Sequence, residues 1–139
     1  MNFKPKTPYI AVDGVVEQYD ENNNFLGIVF IKRKFDPKGL ALPGGFVDIG
    51  ESLESAVKRE VKEETNLDVY DVALLNTYSD PDRDKRFHVV SIVFICKTKG
   101  LLMAGDDAKE AELFSKNEIP LNNLVFDHKN IVEFYLNKK

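Results

Sequence analysis

The sequence predicts a mixed α/β fold, of the α/β or α+β sandwich type, in which one mixed sheet carries helices on its faces. Three observations support this expectation. β-Branched segments with partial alternation recur along the chain, the stretch from Ser52 to about Thr65 has the composition of a helix, and the closing "DHKNIVEFYLNKK" is amphipathic at helical spacing. At 139 residues the chain fits one domain, 1–139, and is long enough to bury a core.

"YIAVDGVVEQYD" (Tyr9–Asp20) reads as a strand, "ENNN" as turn material, and "FLGIVFIKRK" (Phe25–Lys34) as the returning strand of a hairpin. "FDPKG" is a loop, and "LALPGGFVDIGE" a short extended piece broken at Pro43-Gly44-Gly45. The helix from Ser52 is rich in Glu, Lys and Ala and contains neither Gly nor Pro. "LDVYDVALLNTYS" and "RFHVVSIVFICKTK" are two further strands joined by the polar "DPDRDK". "KEAELFSKNEIP" reads as a strand entering a short helical turn closed by Pro120. The terminal helix places Ile131, Phe134 and Tyr135 on its apolar side and lysines in its last turn.

Charge and composition narrow the function classes. A net charge of −4 argues against general nucleic-acid binding, which draws on a basic surplus. One cysteine, Cys96, inside the apolar "VVSIVFIC", allows no internal disulfide and suits a reducing compartment. The N-terminal "MNFKPKTPYIAV" has no apolar core of a signal peptide, and no apolar run approaches the ~20 residues of a membrane span. A cytoplasmic protein without membrane or nucleic-acid partners is expected.

The middle helix raises the chemical question. Successive helical residues turn by roughly 100°, so with Glu60 at zero, Glu64 falls at about +40° and Glu63 at about −60°. Leu53, Val57 and Val61 fall at about +20°, +60° and +100°, so the three acids share an arc with the apolar residues. Glu54, Ser55, Lys58, Arg59, Lys62 and Thr65 take the exposed arc. A merely solvated helix would place its acids opposite its apolar stripe, whereas unpaired carboxylates on the packing side are expensive. A cluster of hard oxygen donors suits Mg²⁺ or Mn²⁺. Pairing with Lys58, Arg59 and Lys62 on a solvated face is the simpler alternative, and the helix alone leaves both open.

The flanking residues decide between them. Gly45, five residues, Glu51, seven residues, Arg59-Glu60-Val61, one residue, Glu63-Glu64, one residue, then Asn66 and Leu67 resemble the signature of the Nudix hydrolases. Every fixed position matches except Asn66, which stands where the family has glycine. Asn is the best substitute for Gly in the left-handed position that closes a helix. "LPGGFVD" before this box, "EAELF" after it and the order of strands are also similar to the family. The resemblance implies a Nudix-type α/β/α sandwich with a mixed central sheet, a catalytic strand–loop–helix and a C-terminal helix.

It also implies hydrolysis of a nucleoside diphosphate linked to another moiety, using divalent metal, Mg²⁺ or Mn²⁺, and water. Glu60 and Glu64 are then the main metal ligands, with the Gly45 carbonyl as a backbone ligand and Glu63 as a further ligand or water-positioning group. Glu51 and Arg59 resemble the pair that holds this arrangement. Glu110, in "GDDAKEAELF", is similar to a late glutamate that serves some relatives as base or extra ligand; Asp106 and Asp107 are weaker candidates. Gly44 belongs to the glycine turn whose backbone is open to phosphates. Family members of this type are often homodimers.

The loop "YSDPDRDKRFH" is ordinary turn chemistry by composition. Pro81, however, lies fifteen residues past Asn66, and the run is similar to the Ser-Asp-Pro-x-Arg-Asp-Pro-Arg of the ADP-ribose pyrophosphatase branch, with Lys85 replacing the second proline. Arg83 and Arg86 here, and Arg33 on the preceding strand, are candidate phosphate contacts. His88 is expected to be structural; Tyr9, Phe35, Phe46 and Phe87 are candidates to stack on adenine, but aromatics in strands are usually core, and none is singled out. ADP-ribose, cleaved to AMP and ribose 5-phosphate, is the expected substrate. The alternatives are a Nudix hydrolase for a damaged nucleotide, dinucleoside polyphosphate or sugar nucleotide, and a catalytically weak ADP-ribose or NAD-metabolite-binding protein. A purely structural protein would leave the carboxylate arc without a reason.

Overall fold

β1 (Tyr9–Tyr19) and β2 (Phe25–Arg33) form a hairpin that pairs only over part of its length. In the computed structural model, which describes residues 3–102 and 110–138, the two strands pair from Tyr19↔Phe25 near the turn to Val16↔Val29, with a bulge between Gln18 and Tyr19, and then part. The chain returns to fill the gap. β3 (Gly39–Ala41) pairs antiparallel with β2 at Ile31–Arg33, and β4 (Gly44–Phe46) pairs antiparallel with β1 at Ala11–Asp13. The Gly14 N–H donates to the Pro43 carbonyl (2.8 Å), which fixes the turn between them inside the fork. This wedge puts Gly44 and Gly45 in the middle of the sheet.

On its other side β1 runs parallel to β6 (Val89–Lys99), which pairs antiparallel with β5 (Asp68–Tyr78), while β7 (Glu110–Phe114) pairs with the far side of β2. The sheet is therefore mixed, as expected. Its period-two alternation sends successive β1 side chains to opposite faces. Val12 and Val16 pack with Ala56, Val57 and Val61 of α1 (Leu53–Thr65) on one face. Val15 packs with Ile131, Val132 and Tyr135 of α2 (His128–Leu136) on the other, giving the α/β/α sandwich.

Both helices depart in detail from the expected faces. Thr65 is fully buried rather than exposed: its hydroxyl donates to the Val61 carbonyl (2.7 Å) and accepts from the Leu67 N–H (3.2 Å), a local satisfaction that lets the last turn sink into the core. In α2 the buried stripe is His128, Ile131, Val132 and Tyr135, so Phe134 falls beside it and is exposed. The lysines expected in its last turn follow the helix, which ends at Leu136. Tyr9, Phe35, Phe46 and Phe87, whose usual place would be the core, are all exposed. Among the described residues, no helix is long and apolar enough to cross a membrane.

Candidate active site

The site is built where α1 starts and where the fork opens. Ser52 caps α1 in an extended conformation and its Oγ accepts from the Ser55 N–H (3.1 Å). Asn66 closes the helix in the left-handed conformation (φ 65°), its N–H donating to the Lys62 carbonyl (3.0 Å). That is the conformation a glycine would adopt there without strain, and asparagine tolerates it better than other residues.

Arg59 is the hub of the carboxylate helix. Its guanidinium donates to both Glu51 oxygens (2.7 and 2.9 Å), to Glu60 (2.8 Å) and to the Phe46 carbonyl (3.2 Å), and reaches Glu63 at 3.4 Å. These bonds hold the Glu51 carboxyl down to about 2. The bidentate Glu51–Arg59 pair therefore ties the turn before α1 to its middle. Glu63 sits at the edge of the expected arc and its side chain is 57% exposed, so of the three acids it alone stands away from the packing side.

Glu64 is 5% exposed and its Oε1 accepts from the Gly44 N–H (2.8 Å). The Glu60 carboxylate lies against Gly45, where a Cβ would come within 2.7–2.8 Å of it. Both carboxylates thus lie against the Gly44–Gly45 turn. Among the described residues there is no ready-made cluster of three His, Cys, Asp or Glu side chains. Two hard carboxylates beside one glycine turn, with a guanidinium bonded to one of them, still match in chemistry a centre for a divalent cation. In this arrangement the Gly44 N–H is engaged by Glu64.

A cavity of about 170 Å³ opens in front of this turn, and Gly44, Gly45 and Glu64 share it with Arg33, Arg83 and Arg86. The three arginines expected to contact phosphate are therefore brought together. Arg83, its side chain 5% exposed, bonds Asp127 through two contacts (2.9 and 2.6 Å). Arg86 does the same with Asp84 (3.0 and 2.8 Å). The Arg33 Nε donates to the Pro37 carbonyl (2.8 Å). The His88 Nε2 lies 3.0 Å from the Ser79 carbonyl and closes the base of the loop, a structural place. Glu110 begins β7 opposite Lys32, and its side chain, like Asp106 and Asp107, lies outside the described residues.

Sequence reasoning missed the floor of this cavity. Asp13 of β1, buried, accepts a short hydrogen bond from the Ser91 hydroxyl, and burial raises its carboxyl to about 7. The Nδ1 of His128 accepts from the Leu42 N–H (3.0 Å), which leaves the proton of the neutral ring on Nε2, 3.8 Å from Asp13. Burial pushes this imidazole down to about 4. The acid in mid-strand of "YIAVDGVV" was a signal in principle; nothing local marked His128.

Asp13 and His128 give opposite pH dependences. The depressed His128 contributes stability above its ordinary 6.5 that is lost as pH falls through 4. The raised Asp13 contributes stability below its ordinary 3.8 that is lost as pH rises through 7. His128→Asn keeps an acceptor for Leu42 and removes the first dependence. The variant is expected to gain on the order of 2 kcal/mol on moving from pH 7 to 5, against little change for the wild type, in urea titrations at the two pH values. Parallel slopes for the two proteins would contradict the assignment.

A family model described as NUDIX domain matches residues 8–135. An ADP-ribose pyrophosphatase from Methanocaldococcus jannaschii is 52% identical over 135 residues, 95% of this chain and 75% of that protein. A MutT/nudix family protein from Enterococcus faecalis superposes with a TM-score of 0.83 at 31% identity, covering 99% of this chain and 64% of that one. The NUDIX domain of Shewanella oneidensis NrtR, solved in complex with ADP ribose, shares the fold with a TM-score of 0.82 at 24% identity, over 97% of this chain and 92% of that one.

Proposed function

We propose a function from one premise: the chain belongs to the Nudix family, whose domain spans residues 8–135 of it. It hydrolyses the diphosphate of a nucleoside diphosphate derivative, and its substrate is ADP-ribose, released as AMP and ribose 5-phosphate. The observation that supports this substrate is the 52% identity, over nearly the whole chain, to an ADP-ribose pyrophosphatase.

Glu60, Glu64 and the Gly45 carbonyl hold a divalent cation, Mg²⁺ or Mn²⁺. When bound, such an ion supplies positive charge to the diphosphate oxygens and lowers the pKa of a water. The chain does the rest. The bond from Arg59, itself anchored by Glu51, to the Phe46 carbonyl ties α1 to the end of the glycine strand, so that Glu60 and Glu64 keep their places against the turn. Arg59 offsets the charge of Glu60 and is itself anchored by Glu51 and the Phe46 carbonyl. Glu63, the exposed acid of the three, orients the attacking water, with Glu110 as the alternative base. Arg33, Arg83 and Arg86, which line the same cavity, contact the phosphates.

The test is a panel of nucleotides with and without Mg²⁺. Release of AMP and ribose 5-phosphate from ADP-ribose, abolished by chelation, is the expected result. Preference for nucleoside triphosphates, or tight ADP-ribose binding without turnover, would replace this reading with one of the alternatives.

A further inference from the structure

Phe126 lies between β3 and α2 with a backbone φ of 55°, a left-handed conformation that a bulky side chain adopts only when its surroundings impose it. The imposition is visible. The preceding Val125 N–H donates to the Leu40 carbonyl of β3 (2.9 Å), and the following segment is pinned as His128 accepts from Leu42. Such a conformation persists at a cost, and its side chain shows what the cost secures. The ring forms part of the cavity wall. Arg33, from the end of β2, stands 5.1 Å over it, and Arg86, from the loop before β6, stands 5.4 Å over the same ring. Arg86 also lies 5.1 Å over Phe87. Two cations from separate segments thus share one aromatic surface, although burial, and then the charge of Arg86, lower the pKa of Arg33. The cavity also holds Asp13, Glu64 and Asp84, so what the ring sets in place for an anion is the pair of guanidinium donors rather than a net positive charge.

We propose that Phe126 is a positioning residue for phosphate recognition: its ring, held in place by the left-handed backbone, sets Arg33 and Arg86 at the spacing that grips the diphosphate. This rests on the hydrolase reading for the identity of the substrate, but not for the anion. Asp84, bonded to Arg86, and the Pro37 carbonyl, bonded to Arg33, fix the outer sides of the two guanidiniums, while the shared ring fixes their separation. Cation–π contacts act through the aromatic face, so an aliphatic side chain of similar volume does not replace it.

Inorganic pyrophosphate, titrated calorimetrically into the full chain in metal-free buffer, reads the grip without catalysis. Phe126→Leu is expected to weaken it about tenfold, the order of two cation–π contacts, while Phe126→Tyr restores wild-type affinity. With ADP-ribose, Phe126→Leu raises KM by a similar factor and leaves kcat within about twofold. Phe126→Asn, whose backbone tolerates the left-handed region, removes the ring while sparing the fold, and is expected to weaken pyrophosphate as Leu does. Three results overturn the proposal: no pyrophosphate binding by the wild type, wild-type affinity in Phe126→Leu, or an equal loss in Phe126→Tyr. Failure of the substrate reading appears separately, as wild-type protein that binds pyrophosphate but does not hydrolyse ADP-ribose.

Discussion

Glu64→Gln lowers kcat for ADP-ribose by roughly 10²–10³-fold while the protein folds as before, the range seen when one preorganised electrostatic group is removed. The contrast follows from where the side chain sits. Glutamine has the same volume as glutamate and its Oε1 still accepts the Gly44 N–H, so neither packing nor the glycine turn is disturbed. The negative charge at Glu64 also works against the neighbouring Asp13, raising its carboxyl further, so its removal relieves a repulsion in the fold. What is lost is an anionic oxygen, the feature a hard cation requires. Melting curves and steady-state kinetics at saturating Mg²⁺ provide the check. A variant with the wild-type rate under those conditions would take Glu64 out of the metal set.

Gly44→Ala and Gly45→Ala are adjacent substitutions with opposite expected outcomes. At Gly44 a Cβ would be driven into the Val12 carbonyl and the Asp13 carboxylate. The first is backbone inside the sheet and has nowhere to go, so the variant is expected to lose about 2–4 kcal/mol of stability, in the range of severe overpacking. At Gly45 the nearest atoms a Cβ would meet all belong to the Glu60 carboxylate, at 2.7–2.8 Å. That is the far end of a flexible side chain, which swings away at small cost in stability and takes a proposed metal ligand out of place. Gly45→Ala therefore melts near the wild type and turns over roughly 10-fold or more slowly. Urea titration and kcat measured on both variants separate the effects. A Gly45→Ala protein of wild-type activity would mean that the position of Glu60 against the turn has no catalytic part.

Much of this was legible in the sequence, for reasons that can be stated residue by residue. The strands were readable because β-branched runs and turn residues punctuate the chain locally. The span of α1, the cap at Ser52 and the left-handed close at Asn66 are likewise local properties of a few residues. The spacing from Gly45 to Leu67 was legible because chain-neighbour geometry brings its members together. What was not legible depends on contacts between distant segments. Asp13 meets Ser91 only through the parallel pairing of β1 with β6, and Asp127 meets Arg83 across 44 residues of sequence. The exposure of Tyr9, Phe46 and Phe87 has the same origin. Each is an ordinary strand or loop aromatic by composition, and only the fold brings them together at the surface, with ring centroids 4.9–6.2 Å apart.

The fork between β1 and β2 has a consequence for how activity is lost. Gly44 and Gly45 belong to a short strand hydrogen-bonded into the sheet, so the proposed metal-binding turn cannot open as a flap while the rest stays folded. Asp13, Gly44, Glu64, Arg83 and His128 come from five segments, joined through long-range pairings that form only with the whole sheet. Unfolding by denaturant should therefore extinguish turnover and secondary structure in one transition, with no dormant folded form in between. Amide hydrogens at the turn, such as that of Gly44, should exchange as slowly as those of the core strands.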